Sequence, residues 1–244
     1  MEEDILHNLE VIKTRIQKAC EKTDRNPDEV KLLLATKTVS SERIKIALEN
    51  GQILIAENKV QELKEKYNDL KGIPHENHFI GHLQTNKVKD ILKYDVVCVQ
   101  SLDRLELAEK LHQRLVAERK TTDVLIQVNA SNEESKFGVH PNEAVELTRK
   151  VSEFRTLKVK GLMTIGLFSS ETEKVRSCFK ILKNLQLEII RQNIPNVEMK
   201  ELSMGMSGDL ETAIEEGSTI VRVGTAVFGA RVYPDSYYWD EGKG

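Results

Sequence analysis

No apolar run in this sequence approaches the roughly 20 residues needed to span a bilayer. The first residues, Met1-Glu2-Glu3-Asp4, are acidic where a secretory signal is basic, so a soluble, cytoplasmic protein is expected. Cysteine is scarce. Cys20, Cys98 and Cys178 are odd in number, far apart and outside any CxxC or Cys/His metal spacing, and they read as buried thiols. The six histidines form no HExxH, and His75, His78 and His82 flank a predicted strand with no second ligand cluster, so no metal is expected. Neither sign of charge dominates. With 36 Lys plus Arg against 39 Asp plus Glu, a net charge of -3 offers no overall positive field to nucleic acid or an anionic membrane.

Low-complexity segments, Gly/Ser-rich linkers and shifts of composition are also missing, which leaves residues 1–244 as a single domain. At 39% hydrophobic and 31% charged, the chain buries a core and is neither collagen, coiled coil nor disordered tail. What it does contain is alternation. Short apolar or β-branched runs recur at Leu32–Thr36, Ile53–Glu57, His78–Ile80, Val96–Gln100, Val124–Asn129, Val159–Thr164, Met199–Ser203 and Ile220–Val223. Between them lie segments with apolar residues three and four apart, such as Leu105, Ala108, Leu111 and Leu115. Ser41, Asp103 and Pro141 signal helix starts, and Gly51 signals an end. A further helix with Ile5, Leu9, Ile12 and Ile16 on one face precedes the first run. Strand–helix alternation fits an open doubly wound sheet or a (β/α)8 TIM barrel, and eight strands favour the barrel.

In a barrel the chemistry gathers at the carboxyl ends of the strands. Lys37 follows the first apolar strand, where a partly buried amine can form a Schiff base with a carbonyl, although a lysine at a strand end more often simply snorkels to solvent. After the seventh strand comes Ser203-Met204-Gly205-Met206-Ser207-Gly208, and after the eighth Gly224-Thr225. Glycines let backbone N–H groups approach an anion, hydroxyls add donors, and barrels commonly hold phosphate at these two loops. Arg222 lies inside the last strand, where a charge must be paired or face a polar ligand. Asn58, His82, Gln84 and Asn86 add polar groups after the second and third strands. Amine, phosphate cradle and buried arginine match the aldehyde, phosphate and ring nitrogen of pyridoxal 5'-phosphate (PLP). Class I aldolases also combine a lysine with phosphate loops, and the arginine tips the choice toward PLP.

Several segments then resemble the pyridoxal phosphate homeostasis protein family: Ala35-Thr36-Lys37, Glu57-Asn58-Lys59-Val60-Gln61-Glu62, His78 through Lys87, Gly161-Leu162-Met163, Leu202 through Ser207, and Gly217 through Arg231. The resemblance spans nearly the whole chain in the expected order. It implies a single barrel similar to the amino-terminal domain of alanine racemase, with PLP held as an internal aldimine on Lys37. It further implies Ser203, Ser207, Gly224 and Thr225 at the phosphate, Arg222 at the pyridine nitrogen, and Asn58 and Met204 lining the ring. Lys136, in Glu134-Ser135-Lys136-Phe137-Gly138, falls in a similar segment without an assigned role. Ala56 stands where the family usually has glycine, and Ser40 where a proline often follows the lysine by three places.

An arginine that keeps its proton leaves the ring nitrogen unprotonated and weakens the ring as an electron sink. No second acid/base is evident, and Tyr233, Tyr237, Tyr238 and Trp239 lie in a short tail. The activity the resemblance implies is therefore a non-catalytic PLP carrier in PLP homeostasis, a monomer that buffers PLP or passes it to PLP-dependent apoenzymes. The alternative is a PLP enzyme such as an amino-acid racemase.

Overall fold

The computed structural model describes residues 2–131, 133, 136–167 and 169–230. Eight parallel strands close into a barrel in chain order, with the last pairing with the first. They are β1 (Lys31–Ala35), β2 (Leu54–Glu57), β3 (Glu76–Phe79), β4 (Val96–Leu102), β5 (Thr122–Gln127), β6 (Leu157–Met163), β7 (Val197–Ser203) and β8 (Ile220–Val223). A helix follows each in turn: α2 (Ser41–Glu49), α3 (Val60–Leu70), α4 (Val88–Lys93), α5 (Leu105–Glu118), α6 (Pro141–Ser152), α7 (Thr172–Gln192), α8 (Leu210–Glu215) and α9 (Thr225–Phe228). Before the barrel comes α1 (Glu2–Lys22). The expected TIM barrel with an extra amino-terminal helix is the fold observed.

Parallel strands buried on both faces need apolar residues at every second position on each side. Leu33, Leu54, Ala56 and Ile220 form one cluster inside the barrel, while Leu34, Ile55, Val221 and Val223 pack outward against helices. This alternation sets the direction of the residues that follow. From Leu33 inward, Ala35 and Lys37 also face inward; from Ile220 inward, so does Arg222.

Along one face of α1, Ile5, Leu9, Ile12 and Ile16 are buried in the same cluster as Ile44 and Leu48 of α2 and Val221 and Val223 of β8. Each such side chain contributes about 1.5–3 kcal/mol on burial, so α1 seals the seam where β8 meets β1. Cys20, Cys98 and Cys178 are buried free thiols, as expected. Among the described residues no helix is long and apolar enough to cross a membrane, and no His/Cys/Asp/Glu group is arranged to hold a metal.

Some boundaries differ from the sequence reading. β5 begins at Thr122 rather than Val124, because Thr122 and Asp123 pair with Leu157 and Lys158 although neither is apolar. It stops at Gln127, beyond which Val128 makes only an isolated bridge to Val139. Ser41 is the first residue of α2, with Ser40 at the cap position, and Arg104 rather than Asp103 precedes α5. Pro141 does open α6, where the His140 ring accepts the Asn142 N–H at 3.3 Å.

Candidate functional site at the barrel mouth

Lys37 is 6% exposed, just beyond the end of β1. Because β1 pairs with β8, the end of the first strand and the turn after the last are neighbours. Together they wall a cavity of about 130 Å3 lined by Lys37, Thr38, Arg43, Gly224, Thr225 and Phe228, among others. Lys37, Gly224 and Thr225, chosen from widely separated parts of the sequence, therefore meet. The first N–H groups of α9, at this turn, have no acceptor within their own helix and suit an anion.

Arg43 was not singled out from the sequence. Its guanidinium donates to the Phe228 carbonyl and lies 5.9 Å from the Phe228 ring centroid. Its Nε is buried without a hydrogen-bond partner among the described residues, at the edge of the same cavity. An arginine in the first turn of a helix looks in sequence like a solvated charge. Only the closure of β8 onto β1 brings it to the mouth.

Inside the barrel Arg222 is 5% exposed and anchors a directed chain of hydrogen bonds. Its Nη2 donates to the Thr164 carbonyl and its Nη1 to Ser203 Oγ, both at 2.7 Å. A guanidinium only donates, so Ser203 accepts and passes its own proton to Gln100 Oε1 at 2.6 Å. The Gln100 amide nitrogen lies 2.7 Å from His78 Nδ1, which must then accept, leaving the His78 proton on Nε2. Burial, with a smaller effect from Lys31, pushes His78 down to about 4, so the imidazole is neutral. Burial lowers Arg222 to about 10, opposed by nearby Asp209, and it stays cationic at neutral pH.

Ser203 thus lies inside the barrel, between Arg222 and Gln100. Its hydroxyl accepts from Arg222 and donates its one proton to Gln100, which couples its side chain to the arginine. Met204 comes next in the chain. It is fully buried in the large core that includes Leu202 and Ala213, as alternation from an inward Ser203 requires.

The loop after β7 is shaped by Gly205, whose φ of +92° suits glycine and whose added Cβ would come within 2.4 Å of the Ala213 Cβ. Its carbonyl accepts the Arg222 N–H at 2.9 Å. Ser207 is partly buried, and its carbonyl accepts from Arg15 of α1, which also grips Glu211 at 2.6 and 2.8 Å. Asp209 Oδ1 takes the Met206 N–H at 2.5 Å, so the loop spends one of its own donors internally. α8 has six residues and α9 four, which leaves backbone N–H groups rather than a long helix dipole as the anion-binding element.

Asn58 is buried directly after β2, and Gly81 lets the next loop press against it: a Cβ there would sit 1.9 Å from the Asn58 carbonyl oxygen. Across the mouth, His82 stacks on Phe137 with centroids 3.9 Å apart and lies 3.6 Å from Asp103. Lys136 pairs with Glu133 and donates to the Gly166 carbonyl at 2.8 Å, tying two rim loops together. Its neighbours Glu134 and Ser135, together with Arg231 and the tail tyrosines and tryptophan, lie outside the described residues.

Residues 3–232 match the family described as alanine racemase, N-terminal domain. A pyridoxal phosphate homeostasis protein of Aquifex aeolicus is 47% identical over 219 residues, covering 90% of this chain and 95% of its own. Among solved structures, a protein of unknown function from Bifidobacterium adolescentis is 36% identical with a TM-score of 0.88, covering 93% of this chain and 95% of its own. PipY of Synechococcus elongatus, solved with PLP bound, is 27% identical with a TM-score of 0.76, covering 88% of this chain and 100% of its own. With its closed barrel and this extent of likeness, the chain belongs to the pyridoxal phosphate homeostasis protein family.

Proposed function

We propose that this chain is a PLP carrier that holds the cofactor reversibly on Lys37. The observation that carries the reading is a buried lysine sharing one cavity with the Gly224-Thr225 turn, just beyond the strand paired to the one that bears Arg222. The donor set fits PLP: an amine for its aldehyde, backbone N–H groups and the spare Arg43 Nε for its phosphate, and a donor-only guanidinium for its ring nitrogen. When bound, PLP supplies an electrophilic carbon and an electron-withdrawing ring. Lys37 would supply the amine that condenses with that carbon, its two protons leaving with the carbonyl oxygen as one molecule of water. Gly224, Thr225 and Ser207 would hold the phosphate, Asn58 would border the ring, and Ser203 would act through Arg222.

Arg222 supports the non-catalytic reading. A cation held by Thr164 and Ser203 has protons to donate but none to accept, so it leaves the ring nitrogen unprotonated and the ring a weak electron sink. Among the described residues, the titratable side chains lining the cavity are Lys37 and Arg43, and neither is a carboxyl, imidazole or phenol able to serve as a second proton carrier beside Lys37. The protein would act in the cytoplasm as a monomer, buffering PLP and releasing it to apoenzymes.

The test is the visible spectrum of the purified protein with PLP, followed by borohydride reduction and peptide mapping, in the natural chain and in Lys37→Ala. A pyridoxyl adduct on Lys37, absent from the variant, is the expected result. An unmodified Lys37 in the natural chain would sink the assignment. Incubation of the loaded protein with amino acids in deuterium oxide should leave their Cα hydrogen in place, and exchange there would make it an enzyme.

A further inference from the structure

The motif Glu57 through Glu62 supplies only Asn58 to the mouth, yet its two carboxylates are engaged directly behind Lys37. Lys37 points inward, and Thr36, one residue earlier, faces the helix layer and is fully buried. The Thr36 hydroxyl lies 2.6 Å from Glu57 Oε1 and 3.1 Å from the Ala56 carbonyl. Lys66, from the middle of α3 and 9% exposed, spends three donors: on the Thr36 carbonyl at 2.8 Å, Glu57 Oε1 at 2.7 Å and Glu62 Oε2 at 2.7 Å. Glu62 Oε2 in turn accepts the Thr38 N–H at 2.6 Å.

The two backbone contacts bracket one residue. The Thr36 carbonyl belongs to the peptide unit before Lys37, and the Thr38 N–H to the unit after it. With both planes held, the φ and ψ of Lys37 and the direction of its Cα–Cβ bond are fixed. Thr38 also has a φ of +65°, a left-handed conformation rare for a β-branched residue that persists only where its surroundings impose it. Knitting α3 to the sheet would need only a Lys66–Glu57 pair. It would not require hydrogen bonds to the peptide groups on both sides of Lys37, and a buried ion pair is in any case a poor source of stability compared with apolar packing.

Building on the assignment of Lys37 as the residue that bonds PLP, we propose that Glu57, Glu62 and Lys66 form a positioning clamp that aims the Lys37 amine at the PLP aldehyde. None of the three is placed at the cofactor. They act through the backbone, and their loss should harm bonding to the aldehyde while sparing recognition of phosphate and ring.

Pyridoxine 5'-phosphate separates these effects, because it has an alcohol where PLP has the aldehyde and so reads the cradle alone. Affinities for both compounds would be measured in the natural chain, Glu62→Ala, Glu62→Gln and Lys66→Met, with circular dichroism to confirm folding. PLP affinity should fall about tenfold or more in Glu62→Ala and Lys66→Met, while pyridoxine 5'-phosphate affinity changes less than about twofold. Glu62→Gln, which keeps an acceptor for Thr38, should recover most of the loss. Equal weakening of both compounds, or weakening of neither, would overturn the clamp. If Lys66→Met does not fold, Glu62→Ala carries the test, since the Glu62 side chain is 16% exposed and its removal leaves Lys66 paired with Glu57. A natural chain that does not prefer PLP over pyridoxine 5'-phosphate would instead refute the role of Lys37 itself.

Discussion

The two faces of the barrel wall at the mouth solve the problem of buried polarity differently. On the inner face, Arg222, Ser203, Gln100 and His78 form a chain in which one permanent cation sets the direction of every following hydrogen bond and ends on a neutral imidazole. On the outer face, Lys66 lies between the carboxyl groups of Glu57 and Glu62, 2.7 Å from each. The inner face leaves its one cation held by a hydroxyl and a carbonyl, which the proposed function directs at a ligand atom. The outer face cancels its charges among themselves and spends what remains on backbone groups. A charge meant for a ligand has no carboxylate in contact, whereas charges meant for architecture are matched locally.

The largest effect should come from leaving one outer charge alone. Lys66→Ala strands Glu57, whose side chain is 2% exposed, and about 3–5 kcal/mol of stability should be lost in urea unfolding at pH 8, less at pH 6 where Glu57 can take a proton. Replacing both partners, Glu57→Leu with Lys66→Met, should recover most of that stability but not the preference for PLP over pyridoxine 5'-phosphate. If the apolar pair restores the preference, the outer network is only packing.

The next effect contrasts the faces by the sign of their response to pH. Burial lowers His78 from 6.5 to about 4, so the unfolded chain binds the extra proton and the inner face loses stability as pH falls from about 6.5 to 4. A shift of that size is worth on the order of 3 kcal/mol. Glu57 is the reverse. Burial outweighs Lys66 and raises it from 4.5 to about 7, so the folded chain keeps the proton and the outer face loses stability as pH rises through that window. The natural chain should therefore show a shallow stability profile between pH 4.5 and 6.5. His78→Asn should expose a downward slope with rising pH, and Glu57→Gln an upward one. Parallel slopes in the two variants would mean that one assigned direction is wrong.

Much of the inner face was legible in the sequence. Strands buried on both sides write themselves as short apolar runs, and a period of two from Ile220 puts Arg222 inside. Lys37 follows the same rule from Leu33. The partners were not legible: Gln100 and Ser203 lie 103 residues apart in the chain, and no local pattern announces their bond. On the outer face, the four-residue spacing of Glu62 and Lys66 reads as an ordinary helix-surface pair. Their grip on the backbone around Lys37 depends on the left-handed turn at Thr38, which a threonine does not advertise. Met204 was named only through the family resemblance, and its burial follows from the strand's alternation, which no loop signal around it reveals.

The smallest expected effect lies at the rim, where charge is neither buried for a ligand nor locked behind the wall. Lys136 pairs with Glu133, the two side chains being 23% and 41% exposed, and solvent screens such a pair to about 1 kcal/mol or less. Its other contact, to the Gly166 carbonyl, joins the loops after β5 and β6 without touching the cavity residues around Lys37. Lys136→Met should thus change stability by less than about 1 kcal/mol and leave the borohydride adduct on Lys37 at full yield. A drop in that yield would show that the rim shapes the mouth, and that the division between ligand-facing and architectural charge extends to the loops above the barrel.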